Sequence, residues 1–179
     1  KTLLVAGGSR GSRAINKILI DNLKPLLDMG IQVLHLTGTL DWERSQEQAG
    51  ELRNNPHYHA YDYLHEAMPL AYAAADLVVC RAGASILGEF PLFRLPSVLI
   101  PLAYSWRYQQ VNADYLAERG AAIHLPEDTA QYDLLPILRR LFEDPSQLAA
   151  MRDAAASLVE PNGAANVAEL LARHARGDA

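Results

Sequence analysis

The sequence predicts an α/β fold: a six-stranded, parallel, Rossmann-like sheet with helices on both faces. Three observations carry that prediction. Short apolar runs alternate strictly with segments of helical period. The runs are apolar at successive positions, as strands buried on both faces require. Glycine or proline stands at many of the junctions between them. With right-handed crossovers, six such strands suggest the order 3-2-1-4-5-6.

The first run, TLLVA (2–6), reads as a strand buried on both faces. Residues 12–28 place Ile15, Ile18, Leu19, Leu23, Leu26 and Leu27 at helical spacing, and Gly30 caps that helix. IQVLHLTG (31–38) is the second strand. DWERSQEQAGELR (41–53) reads as a polar helix, with Asp41, Glu43 and Glu47 on a solvated face. HYHAYDYL (57–64) holds the third strand, along which His57 and His59 alternate as surface or strand-packing residues. MPLAYAAA (68–75) is a short helix with Pro69 tolerated in its first turn. DLVVC (76–80) is the fourth strand, followed by RAGAS and a helix through Phe93. PSVLIPL (96–102) is the fifth, a helix spans 107–119 up to Gly120, and AAIHL (121–125) is the sixth. Residues 131–176 are helical, with breaks at Asp144-Pro145 and Pro161-Asn162-Gly163.

Composition narrows the function classes. The chain has 179 residues, 50% of them hydrophobic, which suits one domain with a full core rather than a disordered segment. No apolar run approaches the ~20 residues that a membrane helix needs. The single cysteine, Cys80, excludes an internal disulfide framework, fits a reducing compartment and reads as a buried structural thiol. The net charge is −5 and the arginines are scattered, so nucleic acid is not an expected partner. The six histidines form no HExxH motif and no Cys/His pairing, so no metal site is expected. The chain begins at Lys1 directly on a strand-like run, which reads either as a piece of a longer protein or as a trimmed start.

In a sheet of this order, ligands bind beyond the carboxyl ends of the strands where the order reverses. The loops GGSRGS (7–12) and RAGAS (81–85) should therefore face each other across one cleft. Gly7, Gly8 and Gly11 permit positive φ and close backbone approach, and a helix starting near Ser12 offers free N–H groups to an anion. The spacing is neither G-x-G-x-x-G nor the NTPase phosphate loop, and a tight turn that binds nothing is the alternative. In RAGASILGEF, Gly83 again separates strand from helix, and Ser85 brings a hydroxyl to the helix start. Glu89 follows among apolar neighbours, where a carboxylate could accept both ribose hydroxyls. A dipole-favoured surface acid is the other reading. In PLAYSWRYQQVNADYL (101–116), the amides of Gln109, Gln110 and Asn112 suit sugar hydroxyls, and Trp106 and Tyr108 could offer apolar faces to a sugar. Taken alone, that stretch reads as an exposed helix face. The three loops together describe a site for a nucleotide phosphate, a ribose and a polar group, without a Ser-His-Asp set or a nucleophilic cysteine.

GGSRGSRAIN, AYAAADLVVCRAGASILGE, LPSVLIP, QQVNADYL and ERGAA, in this order and spacing, resemble the carboxyl-terminal, donor-binding domain of the MurG family. The resemblance covers essentially the whole chain. It implies one half of a GT-B, inverting glycosyltransferase that moves N-acetylglucosamine from UDP-GlcNAc to lipid I, forming lipid II in peptidoglycan synthesis. Residues 1–179 would be a single UDP-sugar-binding domain, with the acceptor site, the general base and the membrane-docking patch on an amino-terminal domain outside this sequence. No residue of this chain is assigned a catalytic role, and alone it would bind donor but be inactive. The implied donor site places Gly8, Ser9, Arg10 and Gly11 at the diphosphate and sugar. It places Leu64 near the uracil, Ala84, Ser85 and Ile86 along the diphosphate, Glu89 at the ribose hydroxyls, and Tyr108 and Gln109 at the sugar. UDP-GlcNAc is a substrate, and neither a cofactor nor a protein-bound metal is implied. The implied partners are the UDP-sugar, the amino-terminal domain and, through it, a lipid-linked acceptor. The implied location is the bacterial cytoplasm, with the full-length protein peripheral on the cytoplasmic face of the inner membrane. The chain departs from the family pattern at Arg10, where glutamine is common, at Tyr108, where histidine or glutamine is usual, and at Ser85-Ile86, where a threonine hydroxyl is missing. Two alternatives stay open: a related UDP-sugar transferase domain or subunit with another lipid acceptor, and a non-catalytic nucleotide-binding module of the same fold.

Overall fold

Along the first strand, β1 (Thr2–Ala6), successive side chains point to opposite faces of the sheet. Leu3 and Val5 enter one apolar cluster, and Leu4 and Ala6 enter another. Both faces are therefore covered, which explains why the run is continuously apolar. The computed structural model describes residues 1–8, 10–102 and 108–176. In them β1 pairs in parallel with β2 (Gln32–Leu36) and β4 (Leu77–Cys80). β3 (Tyr58–Tyr61), β5 (Ser97–Leu99) and β6 (Ala122–His124) complete a sheet of order β3-β2-β1-β4-β5-β6, as the sequence predicts. The order reverses beside β1, between the loops that leave β1 and β4.

One face is covered by α1 (Arg13–Asp21), α2 (Leu23–Asp28) and α7 (Ala130–Glu143), which supply Ile15, Leu19, Leu26, Leu134 and Leu138. The other is covered by α4 (Met68–Ala74), α5 (Ile86–Phe93) and α6 (Tyr108–Glu118), which supply Ala71, Ile86, Phe90 and Leu116. α3 (Trp42–Ala49) lies against α1, and α8 (Pro145–Ala156) reaches both clusters through Leu148 and Ala155.

The helix expected over 12–28 is two helices, broken at Asn22. Pro25 has no N–H to give the carbonyl of Asp21, so the ladder stops there, and the Asn22 amide donates to Ile18 O at 2.8 Å instead. The polar helix expected over 41–53 ends at Ala49. Gly50, at φ +54°, turns the chain into a 3-10 segment through Asn54. Glu43 and Glu47 are exposed as expected, but Asp41 is only 6% exposed. The break at Asp144 holds: its carboxylate accepts from the amides of Ser146 and Gln147 and caps α8 ahead of Pro145. α9 (Gly163–Arg176) buries none of its side chains and displays Val167, Leu170 and Leu171 on one stripe. No helix among the described residues is long and apolar enough to cross a membrane. Cys80 is buried, and burial pushes its thiol far above the usual range, as a structural cysteine requires.

Candidate functional site

The loop after β1 is shaped by close contact rather than by flexibility. Gly11, at φ +79°, lies so near the end of β2 that a Cβ there would fall 2.2 Å from Thr37 O. A Cβ on Gly7 would fall 2.2 Å from the amide nitrogen of Ser12. Gly11 N donates to Gly8 O at 2.9 Å and closes the turn. Ser12 then caps α1, with its hydroxyl 3.5 Å from Ile15 N. The cap takes up the N–H of Ile15, while those of Arg13 and Ala14 have no acceptor within the helix.

A buried polar chain lies beneath this loop. Asn16, 1% exposed, donates from Nδ2 to Thr37 O at 2.9 Å and to Asp41 Oδ2 at 2.8 Å. Both partners only accept, so the amide must turn its oxygen to His35 Nε2, 3.0 Å away. His35 therefore donates from Nε2, and its Nδ1 accepts from the Tyr58 hydroxyl at 2.8 Å. Burial lowers the His35 pKa to about 3 and keeps the ring neutral. Burial pushes the Tyr58 phenol up to about 12.

Across the switch point, Arg81 leaves β4 and grips Glu127 with both arms, Nη1 to Oε2 at 3.0 Å and Nη2 to Oε1 at 2.9 Å. Nη2 also donates to Ser12 Oγ at 2.9 Å, and Nη1 to Ile100 O at 3.1 Å. One guanidinium thus ties together the segments after β1, β4, β5 and β6 at the same end of the sheet. Its charge is answered by Glu127, so Arg81 braces the site, while Arg10 presents an exposed cation beside it and Arg13 pairs through Nε with Asp41 Oδ1 at 3.5 Å.

Between the β1 and β4 loops lies a cavity of about 760 Å³. Gly8, Arg10, Gly11, Ser85, Ile86, Glu89 and Gln109 line it, so the two glycine loops do face each other. Gly83 lines it too. Its φ is outside the left-handed region, and an added Cβ would meet nothing within 4 Å. Ser85 precedes α5 without a side-chain capping bond, which leaves its hydroxyl uncommitted to the helix end. Glu89, one turn into α5, accepts from the Tyr72 hydroxyl through Oε2 at 2.9 Å. Gln109 Oε1 accepts from Leu102 N at 2.9 Å, which directs its amide nitrogen elsewhere.

Several expected residues stand apart from the cavity. Leu64 packs into the apolar cluster beneath α4, and Asp62, Tyr63 and Met68 line the cavity from the same segment. Ala84 is exposed beside the cavity but does not line it, and the Tyr108 side chain is 73% exposed at the start of α6. Asn112 donates to Ala82 O at 2.9 Å and fastens α6 to the β4 loop, so its amide is structural. Ser9 and Trp106 lie outside the described residues. Arg81 and Tyr72 escaped the sequence reading because their partners are 46 and 17 residues away, on other elements. Their only signal was membership of the stretch AYAAADLVVCRAGASILGE. No group of three or more His, Cys, Asp or Glu side chains suited to a metal ion occurs among the described residues.

The sequence profile of the glycosyltransferase family 28 C-terminal domain matches residues 2–171. A Roseiflexus sp. (strain RS-1) protein named UDP-N-acetylglucosamine--N-acetylmuramyl-(pentapeptide) pyrophosphoryl-undecaprenol N-acetylglucosamine transferase is 39% identical over 95% of this chain and 43% of its own length. A protein of the same name from Nitratidesulfovibrio vulgaris (strain DP4) is 36% identical over 94% of this chain and 46% of its own. The crystal structure of Acinetobacter baumannii MurG superposes with a TM-score of 0.85 at 29% identity, covering 96% of this chain and 49% of that one. The resemblance to the MurG family seen in the motifs therefore holds. This chain spans less than half the length of the relatives it matches.

Proposed function

Because this chain belongs to the glycosyltransferase family 28 C-terminal domain family, we propose that it is the donor-binding half of an inverting transferase. The transferase moves N-acetylglucosamine from UDP-GlcNAc to a lipid-linked acceptor, lipid I, in peptidoglycan synthesis. The acceptor is held by an amino-terminal domain, and the full-length protein works at the cytoplasmic face of the inner membrane. The observation that carries this reading is the cavity between two glycine loops, each leading into a helix, with Glu89 on its wall.

The diphosphate sits between the amino-terminal ends of α1 and α5, where free N–H groups and partial positive charge meet it. Arg10 adds charge at the rim, and Arg13 stands beside it with part of its charge answered by Asp41. As the acceptor hydroxyl attacks the anomeric carbon, its proton passes to a base on the amino-terminal domain, the bond to UDP breaks and negative charge grows on the leaving diphosphate. Fixed dipoles aimed at that charge lower the barrier without reorganising, and the proposal assigns this task to them rather than to a protein-bound metal. Glu89 accepts from the ribose hydroxyls, and Gln109 reaches toward the sugar.

Calorimetric titration of this chain with UDP-GlcNAc, UDP-glucose and UDP tests the reading. UDP-GlcNAc is expected to bind, and Glu89→Ala to weaken it by about 10- to 100-fold, the worth of hydrogen bonds to a charged group. Absence of binding by all three up to millimolar concentration overturns the assignment for this chain.

A further inference from the structure

Glu89 does not stand alone on the cavity wall. Tyr72, on α4, donates its hydroxyl to Glu89 Oε2 at 2.9 Å. The Tyr72 ring stands edge-on to Phe90, with centroids 5.7 Å apart at 78°, and tilts against Phe93 at 5.4 Å. Two aromatic contacts therefore fix the ring that fixes the carboxylate. Burial and the Glu89 carboxylate hold the Tyr72 phenol well above its ordinary pKa, so it stays a donor throughout the working range. A glutamate has several rotatable bonds, and leaving it free would oppose binding through the entropy of ordering it. With one lone pair of Oε2 engaged, the carboxylate keeps Oε1 and the rest of Oε2 for two further donors. A vicinal diol supplies that number.

We propose that Tyr72 is a positioning residue for ribose recognition: its hydroxyl presets Glu89 to receive the 2′- and 3′-hydroxyls of the nucleotide. The proposal rests on the reading of Glu89 as the ribose acceptor. It also links two walls of the cavity. Tyr72 belongs to the segment that follows β3 and contributes Tyr63 and Met68, whereas Glu89 belongs to the helix after β4. The hydrogen bond joins these segments across the cleft before any ligand arrives.

The test compares the affinities of UDP and 2′,3′-dideoxy-UDP for the wild-type chain, Tyr72→Phe and Glu89→Gln, with thermal unfolding of each. Tyr72→Phe keeps the ring and its packing. It is expected to lower the preference for UDP over the dideoxy nucleotide about tenfold. Affinity for the dideoxy nucleotide should move less than about twofold, because that ligand gives Glu89 nothing to hold. A Tyr72 that served only the fold would weaken both ligands alike and leave their ratio unchanged, and that result overturns the proposal. Glu89→Gln separates the two ideas. If it keeps the wild-type ratio, or if the wild type shows no preference, Glu89 is not the ribose acceptor and the underlying reading fails. If it loses the ratio while Tyr72→Phe keeps it, only the role of Tyr72 fails.

Discussion

Gly83 is a position where the protein's own packing asks for no glycine. Gly7 and Gly11 have no alternative, since a side chain at either would collide with backbone. At Gly83 the backbone is ordinary and the space beside it is open, and Gly83 lines the cavity. Under the proposed function, a glycine here lets the diphosphate approach the backbone closely. Gly83→Ala is therefore expected to fold with stability within about 0.5 kcal/mol of wild type, while UDP-GlcNAc affinity drops at least tenfold. Thermal unfolding and calorimetry on the same sample check both halves, and unchanged affinity would remove Gly83 from the site. Glu89 was legible in the sequence because its spacing from the glycine loop fixes its place on α5. Tyr72 and Arg81 were not, because a hydrogen bond between elements leaves no spacing to read.

At the level of elements, the strands were legible because burial on both faces writes a continuous apolar run. Their order followed from alternation with helices. The break at Asn22 was hidden because Leu23, Leu26 and Leu27 continue the apolar period of α1, and the missing N–H of Pro25 was the only sign of it. The brace across the strand ends was equally hidden, although it decides how the loops sit. Arg81 is 12% exposed and Glu127 25% exposed, and their paired hydrogen bonds hold the segment before α7 against the cap of α1. Glu127→Ala leaves the guanidinium sheltered with only the neutral oxygens of Ser12 and Ile100. The loss is expected to be about 2–3 kcal/mol, toward the lower end for a sheltered ion pair because Glu127 retains some contact with water. A fall in the urea midpoint at unchanged slope is the expected signature. A midpoint equal to wild type would mean that the pair contributes nothing to holding these elements together.

For the molecule as a whole, the polar chain from Tyr58 through His35 and Asn16 to Asp41 crosses from β3 through β2 to α1 and the start of α3, directly below the glycine loop. It joins four elements that the apolar pattern alone would leave free to slide. Its weak point is protonation. His35 is neutral when folded, with a pKa lowered to about 3 by burial, whereas in the unfolded chain it titrates near 6.5. A depressed folded value means that the unfolded state binds the proton first. The contribution of His35 to stability is therefore whole above pH 6.5 and declines steadily as pH falls toward 3. At pH 4.5 the loss from this one group is on the order of 2–3 kcal/mol relative to pH 7.5. Carboxylates such as Asp144, held below the usual range by Ser146 and Gln147, act at lower pH and add little in this window. Urea unfolding of wild type and His35→Gln between pH 4.5 and 7.5 isolates the effect. The variant is expected to be less stable at pH 7.5, where it lacks the hydrogen bonds of the ring, and to show a flatter pH dependence below 6.5. Parallel curves for the two proteins would mean that the imidazole is not held neutral in the fold, and the polar chain would then have no part in pH stability.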